Sequence, residues 1–202
     1  HQVARLGLAR TFQNLRLFQS LSVLENVLVG LHRHGRQRPW DVLLGTPRFR
    51  QRERQLRQQA LQLLESMDIA GVAERRAGDL SYGQRRRLEI ARALANGPRL
   101  LLLDEPAAGM NPAEKQELAG LIRQVQRQHQ LTVLIIDHHV PLMMGLCDRL
   151  AVLNFGRRIA VGRPEAVRRD PAVIEAYLGE DAVAAAAAGA EDGAADPGGQ
   201  QP

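Results

Sequence analysis

The stretches LSYGQRRRLE at residues 80–89 and LLLLDEP at residues 100–106 decide the interpretation of this chain. In the first stretch, Ser81 followed by Gly83 predicts a turn that opens a helix and whose backbone can approach an anion closely. In the second, four consecutive leucines predict a buried strand of a parallel sheet that ends at two carboxylates, Asp104 and Glu105. Because ligands of α/β proteins bind at the carboxyl ends of such strands, the pair marks a candidate site.

The rest of the chain alternates helical and strand patterns. Apolar residues at helical spacing, capping residues and continuous apolar runs predict this order of elements: a helix opened by a Ser22–Glu25 capping box, a loop over 33–50, helices over 50–67, 82–95 and 112–128, a second buried strand over 132–136, a helix over 140–147, a hairpin around 154–157 and two short helices opened by Pro164 and Pro171. The alternation predicts an α/β fold with a parallel sheet, in which residues 22–95 form a mostly helical subdomain.

Composition sets limits on the class of protein. An apolar content of 45% can build a core, and we predict one domain over residues 1–181 followed by a disordered tail, rich in Ala, Gly and Pro, over residues 182–202. The single cysteine, Cys147, excludes an internal disulfide and a cysteine-built zinc site. No apolar run has the length of a membrane-spanning helix.

The net charge of +5 rests almost wholly on arginine, since Lys115 is the one lysine of the sequence. A basic surface suits a nucleic acid, an anionic lipid or a nucleotide. The arginines cluster only at residues 48–57 and 85–87, and aromatic residues that could stack on bases are scarce, at 3%. We therefore expect no nucleic-acid partner, although a non-enzymatic nucleic-acid binder stays open as an alternative.

The two carboxylates suit two different roles. Asp104 can hold magnesium, and Glu105 can orient and polarise an attacking water as a general base. Ser81, Gly83 and Gln84 at a helix N-terminus suit a phosphate, because the amides and the helix dipole attract anions.

Three further residues complete the predicted site. Gln13 can offer its side-chain carbonyl to magnesium or to the attacking water. His138 follows the second predicted strand and can reach a γ-phosphate, while His139 is its rival neighbour. Asn111, directly before Pro112, is the N-cap of a helix, with a contact across a dimer interface as an additional role.

In this order, the motifs resemble those of the ATP-binding subunits of ATP-binding cassette (ABC) transporters, over about residues 1–179. Gln13 corresponds to the Q-loop, residues 80–84 to the signature, Asp104 and Glu105 to the Walker B aspartate and catalytic base, residues 108–111 to the D-loop and His138 to the switch histidine. The runs RTFQ at 10–13, LSYGQ, AAGMNP at 107–112 and AYLG at 176–179 look most like the branched-chain amino acid importers.

The resemblance implies an ATPase that uses ATP and Mg²⁺, dimerises head to tail with a second ABC ATPase subunit, and powers amino acid import. It further implies transmembrane permease subunits as partners, a periplasmic substrate-binding protein as an indirect partner, and a peripheral position on the cytoplasmic face of the inner membrane. The rival interpretations are an ABC ATPase outside transport, the nucleic-acid binder and an inert gene fragment.

Several features depart from the family pattern. The Gly-x-x-x-x-Gly-Lys-Ser/Thr phosphate loop does not occur in these 202 residues, since Lys115 comes after the Asp-Glu motif. We therefore expect a core that lacks its first strand and phosphate loop, and little ATP hydrolysis by these residues alone. The signature carries Tyr82 where many families have Gly, and the switch reads Asp137-His138-His139 where Glu-His-Asp is more usual.

Overall fold

The computed structural model describes residues 6–11, 17–31 and 46–178. Its elements are β1 (Leu8–Arg10), α1 (Val23–Leu31), α2 (Pro47–Ser66), α3 (Tyr82–Leu94), β2 (Leu100–Asp104), α4 (Pro112–His129), β3 (Thr132–Ile136), α5 (Val140–Leu146), β4 (Leu150–Asn154), β5 (Arg157–Gly162), α6 (Pro164–Val167) and α7 (Pro171–Val173), with 3₁₀ turns at Ala70–Val72 and Ala77–Asp79 and a π-helical turn at Ile174–Leu178. They form two compact units, residues 1–138 and 139–202. Gln13 and the predicted tail over residues 182–202 lie outside the described residues.

The first unit contains a parallel sheet of order β1-β2-β3. Leu100 pairs with Leu8 on one side and with Thr132 on the other, so β2 is central, as its leucine run predicts. Between β1 and β2, the described elements are the helices α1, α2 and α3 with the two 3₁₀ turns. This order places the carboxyl ends of three parallel strands along one edge of the sheet.

The prediction of a second fully buried strand was wrong. In β3, Leu134 and Ile136 are 54% and 61% exposed. β3 pairs with β2 only, and within the described sheet it is an edge strand. Its apolar run is continuous in sequence, but alternate side chains point to opposite faces, and the face that carries Leu134 and Ile136 is exposed.

Three helices of the first unit, α1, α3 and α4, begin at the residues that the capping signals predict. Ser22 and Glu25 form the reciprocal pair of a capping box, and so do Ser81 with Gln84 and Asn111 with Glu114. The prediction of a loop up to residue 50 was wrong at its end, because Thr46 caps α2 and Pro47 occupies its first turn. Each helix thus begins at a defined residue, which fixes the turns that carry the predicted site.

The helices α1, α2 and α3 pack on one another around a core of aliphatic side chains. Gly30 lets α1 approach α3 closely, because a methyl group on Gly30 would lie 2.7 Å from Cβ of Ala95 and 3.0 Å from the carbonyl oxygen of Arg92. Burial lowers the pKa of the Arg92 guanidinium, and the Glu89 carboxylate acts in the opposite direction. This helical packing supports α3, whose first turn is the Ser81 motif.

The second unit is built on a hairpin. β4 and β5 pair antiparallel, which confirms the predicted hairpin around residues 154–157, and Phe155 and Gly156 have the positive φ of a two-residue turn. A core of Leu150, Ala160, Val167 and Val173 holds the hairpin against α6 and α7, the two short helices that the prolines predict. No helix among the described residues has both the length and the apolar character needed to cross a bilayer.

Candidate functional site

The carboxyl ends of β2 and β3 bring Glu105 and His138 together. The backbone amide of Glu105 donates to the carbonyl of Ile136, which continues the β2–β3 pairing one residue beyond the strands. Oε1 of Glu105 then lies 3.5 Å from Nδ1 of His138, two residues after the end of β3. This separation is longer than the about 2.6–3.2 Å that direct proton transfer requires, and one water can hydrogen-bond to both groups.

Glu105 adopts a backbone conformation that few non-glycine residues adopt. Its φ is +44°, in the left-handed region. The chain turns there out of β2 into a loop closed by the hydrogen bond from the Ala108 amide to the Glu105 carbonyl. The turn separates the direction of the Glu105 side chain from that of Asp104, so the two adjacent carboxylates serve different partners.

Asp104 is held by the end of β1. Nη2 of Arg10 lies 2.9 Å from Oδ2 of Asp104, which forms an ion pair across 94 positions of sequence. Arg10 pairs with Leu102 in the β1–β2 register, so its side chain and that of Asp104, two residues beyond Leu102, emerge on the same face of the sheet. The role of the Arg10 side chain was not predicted, because a strand of three residues leaves no periodic signal.

Thr11 extends this junction beyond β1. Its side chain is buried, its amide donates to the Leu102 carbonyl at 2.9 Å, and its hydroxyl accepts from the Asp104 amide at 3.4 Å. The hydroxyl also donates to the Leu102 carbonyl at 3.5 Å. Thr11 therefore fixes the backbone of Asp104, while Arg10 fixes its carboxylate.

The donor set at this edge fits magnesium. In the part of the chain that the structure describes, no three His, Cys, Asp or Glu side chains gather into a metal cluster. Asp104 alone offers a carboxylate at the predicted metal position, and magnesium is commonly held by one or two carboxylates together with water and substrate phosphates. Gln13, the second predicted ligand, lies outside the described residues.

His139 has a different role from His138. It is the N-cap residue of α5, and its Nδ1 accepts a hydrogen bond from the Leu142 amide at 3.2 Å. The neighbouring imidazole of His138 is 77% exposed and directed at Glu105. The two adjacent histidines therefore have different partners, one structural and one at the strand ends.

The second cluster of predicted site residues is the turn over residues 81–84, which we name the Ser81 turn. The Ser81 hydroxyl accepts from the Gln84 amide at 3.3 Å, and the Gln84 side chain accepts from the Ser81 amide at 3.2 Å. The first amides of an α-helix have no acceptor within the helix, so those of Tyr82 and Gly83 can donate to an anion at this exposed end.

Asn111 closes the loop that starts at Glu105. Its side chain accepts from the Glu114 amide, and its own amide donates to the Glu114 carboxylate, both at 2.9 Å. The two capping boxes thus open α3 and α4, and Ser81, Tyr82 and Asn111 are exposed to solvent, whereas Gly83 and Gln84 are partly buried.

Two of the three arginines at residues 85–87 are held in ion pairs within the chain. Arg86 pairs with Glu89 at 3.0 Å, and both side chains are 3% exposed. Arg87 pairs with Asp68 at 3.2 Å and with Glu117 at 2.8 Å. These two arginines therefore contribute little to a basic surface of the kind that the nucleic-acid alternative requires.

Comparison with known protein families gives two matches. Residues 1–108 match the family of ABC transporters, and residues 157–183 match a family described as branched-chain amino acid ATP-binding cassette transporters.

Among individual proteins, the chain is 47% identical to the high-affinity branched-chain amino acid transport ATP-binding protein BraF of Pseudomonas aeruginosa, over 89% of this chain and 71% of the relative. It is 45% identical to LivG of Escherichia coli, of the same description, over 89% and 70% of the two chains. The lipopolysaccharide export ATP-binding protein LptB of Acidithiobacillus ferridurans is 38% identical, over 89% and 68%.

Among solved structures, the ADP conformation of an ATP-binding cassette of an ABC transporter matches with a TM-score of 0.70 and 31% identity, over 88% of this chain and 70% of the other. A nucleotide-free ATP-binding cassette from an ABC transporter matches with a TM-score of 0.66 and 31% identity, over 87% and 70%. These two structures share the parallel-sheet architecture described above.

Proposed function

This chain belongs to the ATP-binding subunits of ABC transporters, and we propose that it is the subunit that powers import of branched-chain amino acids. BraF and LivG, at 47% and 45% identity, carry that description, and the family that matches residues 157–183 carries it too. Lipopolysaccharide export is the second candidate, because the 38% identity to LptB spans the same 89% of the chain.

The single observation that carries the proposed chemistry is the approach of His138 to Glu105 beside Asp104. In the proposed mechanism, Glu105 accepts the proton of the attacking water, and His138 orients that water and donates to the γ-phosphate. Asp104, with Gln13, would hold the magnesium that accompanies ATP; when bound, this ion neutralises charge on the phosphates. Arg10 and Thr11 keep Asp104 in place at the strand end.

The Ser81 turn contacts the nucleotide that the other subunit of the proposed dimer binds. We propose that two ATPase subunits associate head to tail, so that Ser81, Gly83 and Gln84 of one chain contact the γ-phosphate bound by the other. Asn111 contributes to the same interface. Permease subunits are the proposed membrane partners, with a periplasmic substrate-binding protein acting through them, on the cytoplasmic face of the inner membrane.

The proposed nucleotide site contains no phosphate loop from these 202 residues. Backbone amides and a lysine of that loop bind the β- and γ-phosphates in ATPases of this kind, and no such sequence occurs here. We therefore propose that the 202 residues by themselves hydrolyse ATP very slowly. Phosphate release at the rate of an intact cassette ATPase would show that the nucleotide site lies elsewhere.

The identity of the transported substrate is tested with a chimaera in which the phosphate-loop segment of BraF precedes residue 1. It is expressed in a strain that lacks its own branched-chain ATP-binding subunit, and uptake of labelled leucine, isoleucine and valine is measured. We expect uptake to be restored and to be lost again in Glu105→Gln. A chimaera that hydrolyses ATP without restoring uptake, but that supports lipopolysaccharide export in place of LptB, would favour the second candidate.

A further inference from the structure

The Ser81 turn lies against the loop over residues 106–111, which we name the Gly109 loop. A methyl group on Gly109 would lie 3.6 Å from Cε1 and 3.9 Å from Cζ of Tyr82, so the backbone of the loop passes close to the edge of this ring. Gly109 has a φ of +73°, which glycine adopts without strain. The ring of Tyr82 therefore lies beside the backbone of the Gly109 loop and links two motifs that are more than twenty residues apart in sequence.

The helices α3 and α4, which begin at these two motifs, also approach each other. A methyl group on Gly83 would lie 3.9 Å from Oε1 of Glu114, whose other oxygen accepts from the Asn111 amide. One turn further along α3, Arg87 pairs with Glu117 of α4 at 2.8 Å. The first turns of α3 and α4 thus lie side by side, with Tyr82 at the end nearest the Gly109 loop.

The position of the Tyr82 ring is fixed from within its own helix. The guanidinium carbon of Arg86 lies 5.7 Å from the ring centroid, a distance at which a cation attracts an aromatic face. Arg86 is in turn paired with Glu89 in the interior of the unit. A buried ion pair of this kind has little freedom to rearrange, because separating the charges in the interior is costly.

We infer that Tyr82 is a positioning residue that couples the Ser81 turn to the Gly109 loop, so that the two move as one body. The inference rests on the proposed function and extends it. The Ser81 turn would contact the nucleotide held by the partner chain, whereas the Gly109 loop leads from Glu105, the proposed base for the nucleotide held by its own chain. A displacement of the Ser81 turn on nucleotide capture would then reach Glu105 through Tyr82. A glycine at position 82, as in many families, has no ring and could not link the Ser81 turn to the Gly109 loop in this way.

Amide hydrogen exchange of the 202-residue chain without nucleotide tests the coupling directly. In Tyr82→Ala, we expect peptides over residues 105–111 to exchange faster by about fivefold, since local opening no longer has to break the ring contact. Tyr82→Phe keeps the ring edge that faces Gly109 and should exchange like the wild type. Tyr177→Ala is the matched control, because it removes the other tyrosine of the chain, which lies in the second unit.

Two outcomes would overturn the inference. Unchanged exchange over residues 105–111 in Tyr82→Ala would show that the ring does not restrain the loop. A rise of equal size in α1 and β2 would show that the ring supports the fold as a whole. Because no nucleotide is present, failure of the proposed ATPase function would leave this readout unaffected, and the two failures are therefore distinguishable.

A second measurement leaves Tyr82 in place. With 3-fluorotyrosine in both tyrosines, and the two ¹⁹F signals assigned through Tyr177→Phe, Gly109→Asn should shift the Tyr82 signal, because its new side chain meets the ring. Gly97→Asn is the matched control: Gly97 also has a positive φ, of +58°, and a methyl group on it would meet nothing within 4 Å. Asparagine tolerates this left-handed backbone. A Tyr82 signal that responds equally to both variants, or to neither, would overturn the contact.

Discussion

Nδ1 of His138 lies 3.5 Å from Oε1 of Glu105, whereas Nδ1 of His139 accepts a hydrogen bond from the Leu142 amide. The two adjacent histidines thus have different partners, and single substitutions can test whether they also have different roles. In an assembly that hydrolyses ATP, we expect His138→Ala to lose most of the activity and His139→Ala to keep most of it. Steady-state phosphate release, with nucleotide binding measured separately, checks this. A larger loss in His139→Ala would shift the assignment by one residue.

Glu105→Gln should separate nucleotide binding from hydrolysis. The amide keeps the size of the side chain but cannot accept the proton of the attacking water, so we expect hydrolysis to fall by on the order of 10²-fold or more while ATP binding persists. Glu65→Gln makes the same chemical change on the exposed face of α2 and should leave both properties unaltered. ATP hydrolysis by Glu105→Gln at the wild-type rate would show that Glu105 is not the general base.

Gly30→Ala should destabilise the protein although it places a better helix former in α1. The new methyl group would meet Cβ of Ala95 at 2.7 Å, and overpacking of this kind costs about 1–3 kcal/mol, which exceeds the gain in helix propensity. Gly120→Ala in α4 meets nothing within 4 Å and should stabilise by about 0.5–1 kcal/mol. Urea unfolding of both variants measures the difference. A Gly30→Ala protein as stable as Gly120→Ala would contradict the close approach of α1 and α3.

Thr11→Val should weaken the junction between β1 and β2. The substitution preserves shape but removes the hydroxyl that accepts from the Asp104 amide, and we expect a loss of about 1 kcal/mol in the free energy of unfolding. Thr132→Val, at the exposed start of β3, provides the matched control and should be close to neutral. Equal stability of the two variants would mean that the Thr11 hydroxyl contributes nothing to the fold.

The parts of the fold that local sequence determines were predictable. Several features carry their signal within a few residues, and the structure confirms them: the leucine run of β2, the caps at Ser22, Ser81 and Asn111, and the hairpin turn at Phe155 and Gly156. β1 was not predicted, because three residues leave no pattern and its strand conformation depends on pairing with β2 more than ninety positions away.

The candidate site was predictable in its motifs but not in its contacts. The adjacency of Asp104 and Glu105 and the order of the motifs can be read directly from the chain, and their roles stay predictions. The ion pair of Arg10 with Asp104 and the two pairs of Arg87 join elements that are distant in sequence, so no local signal indicates them. The same holds for Tyr82. The sequence shows that Tyr82 stands where many families have glycine, but it does not show that its ring lies beside Gly109.

The exposed apolar face of β3 has a consequence for the handling of the isolated polypeptide. Leu134 and Ile136 project from a strand with a hydrogen-bonded neighbour on one side only among the described elements, and such an edge readily pairs with the same edge of another molecule. Without its natural partners, the polypeptide should self-associate as its concentration rises and should bind dyes that report exposed hydrophobic surface. Its yield from cells would then depend on chaperones, and a charged substitution at Ile136 should improve its solubility.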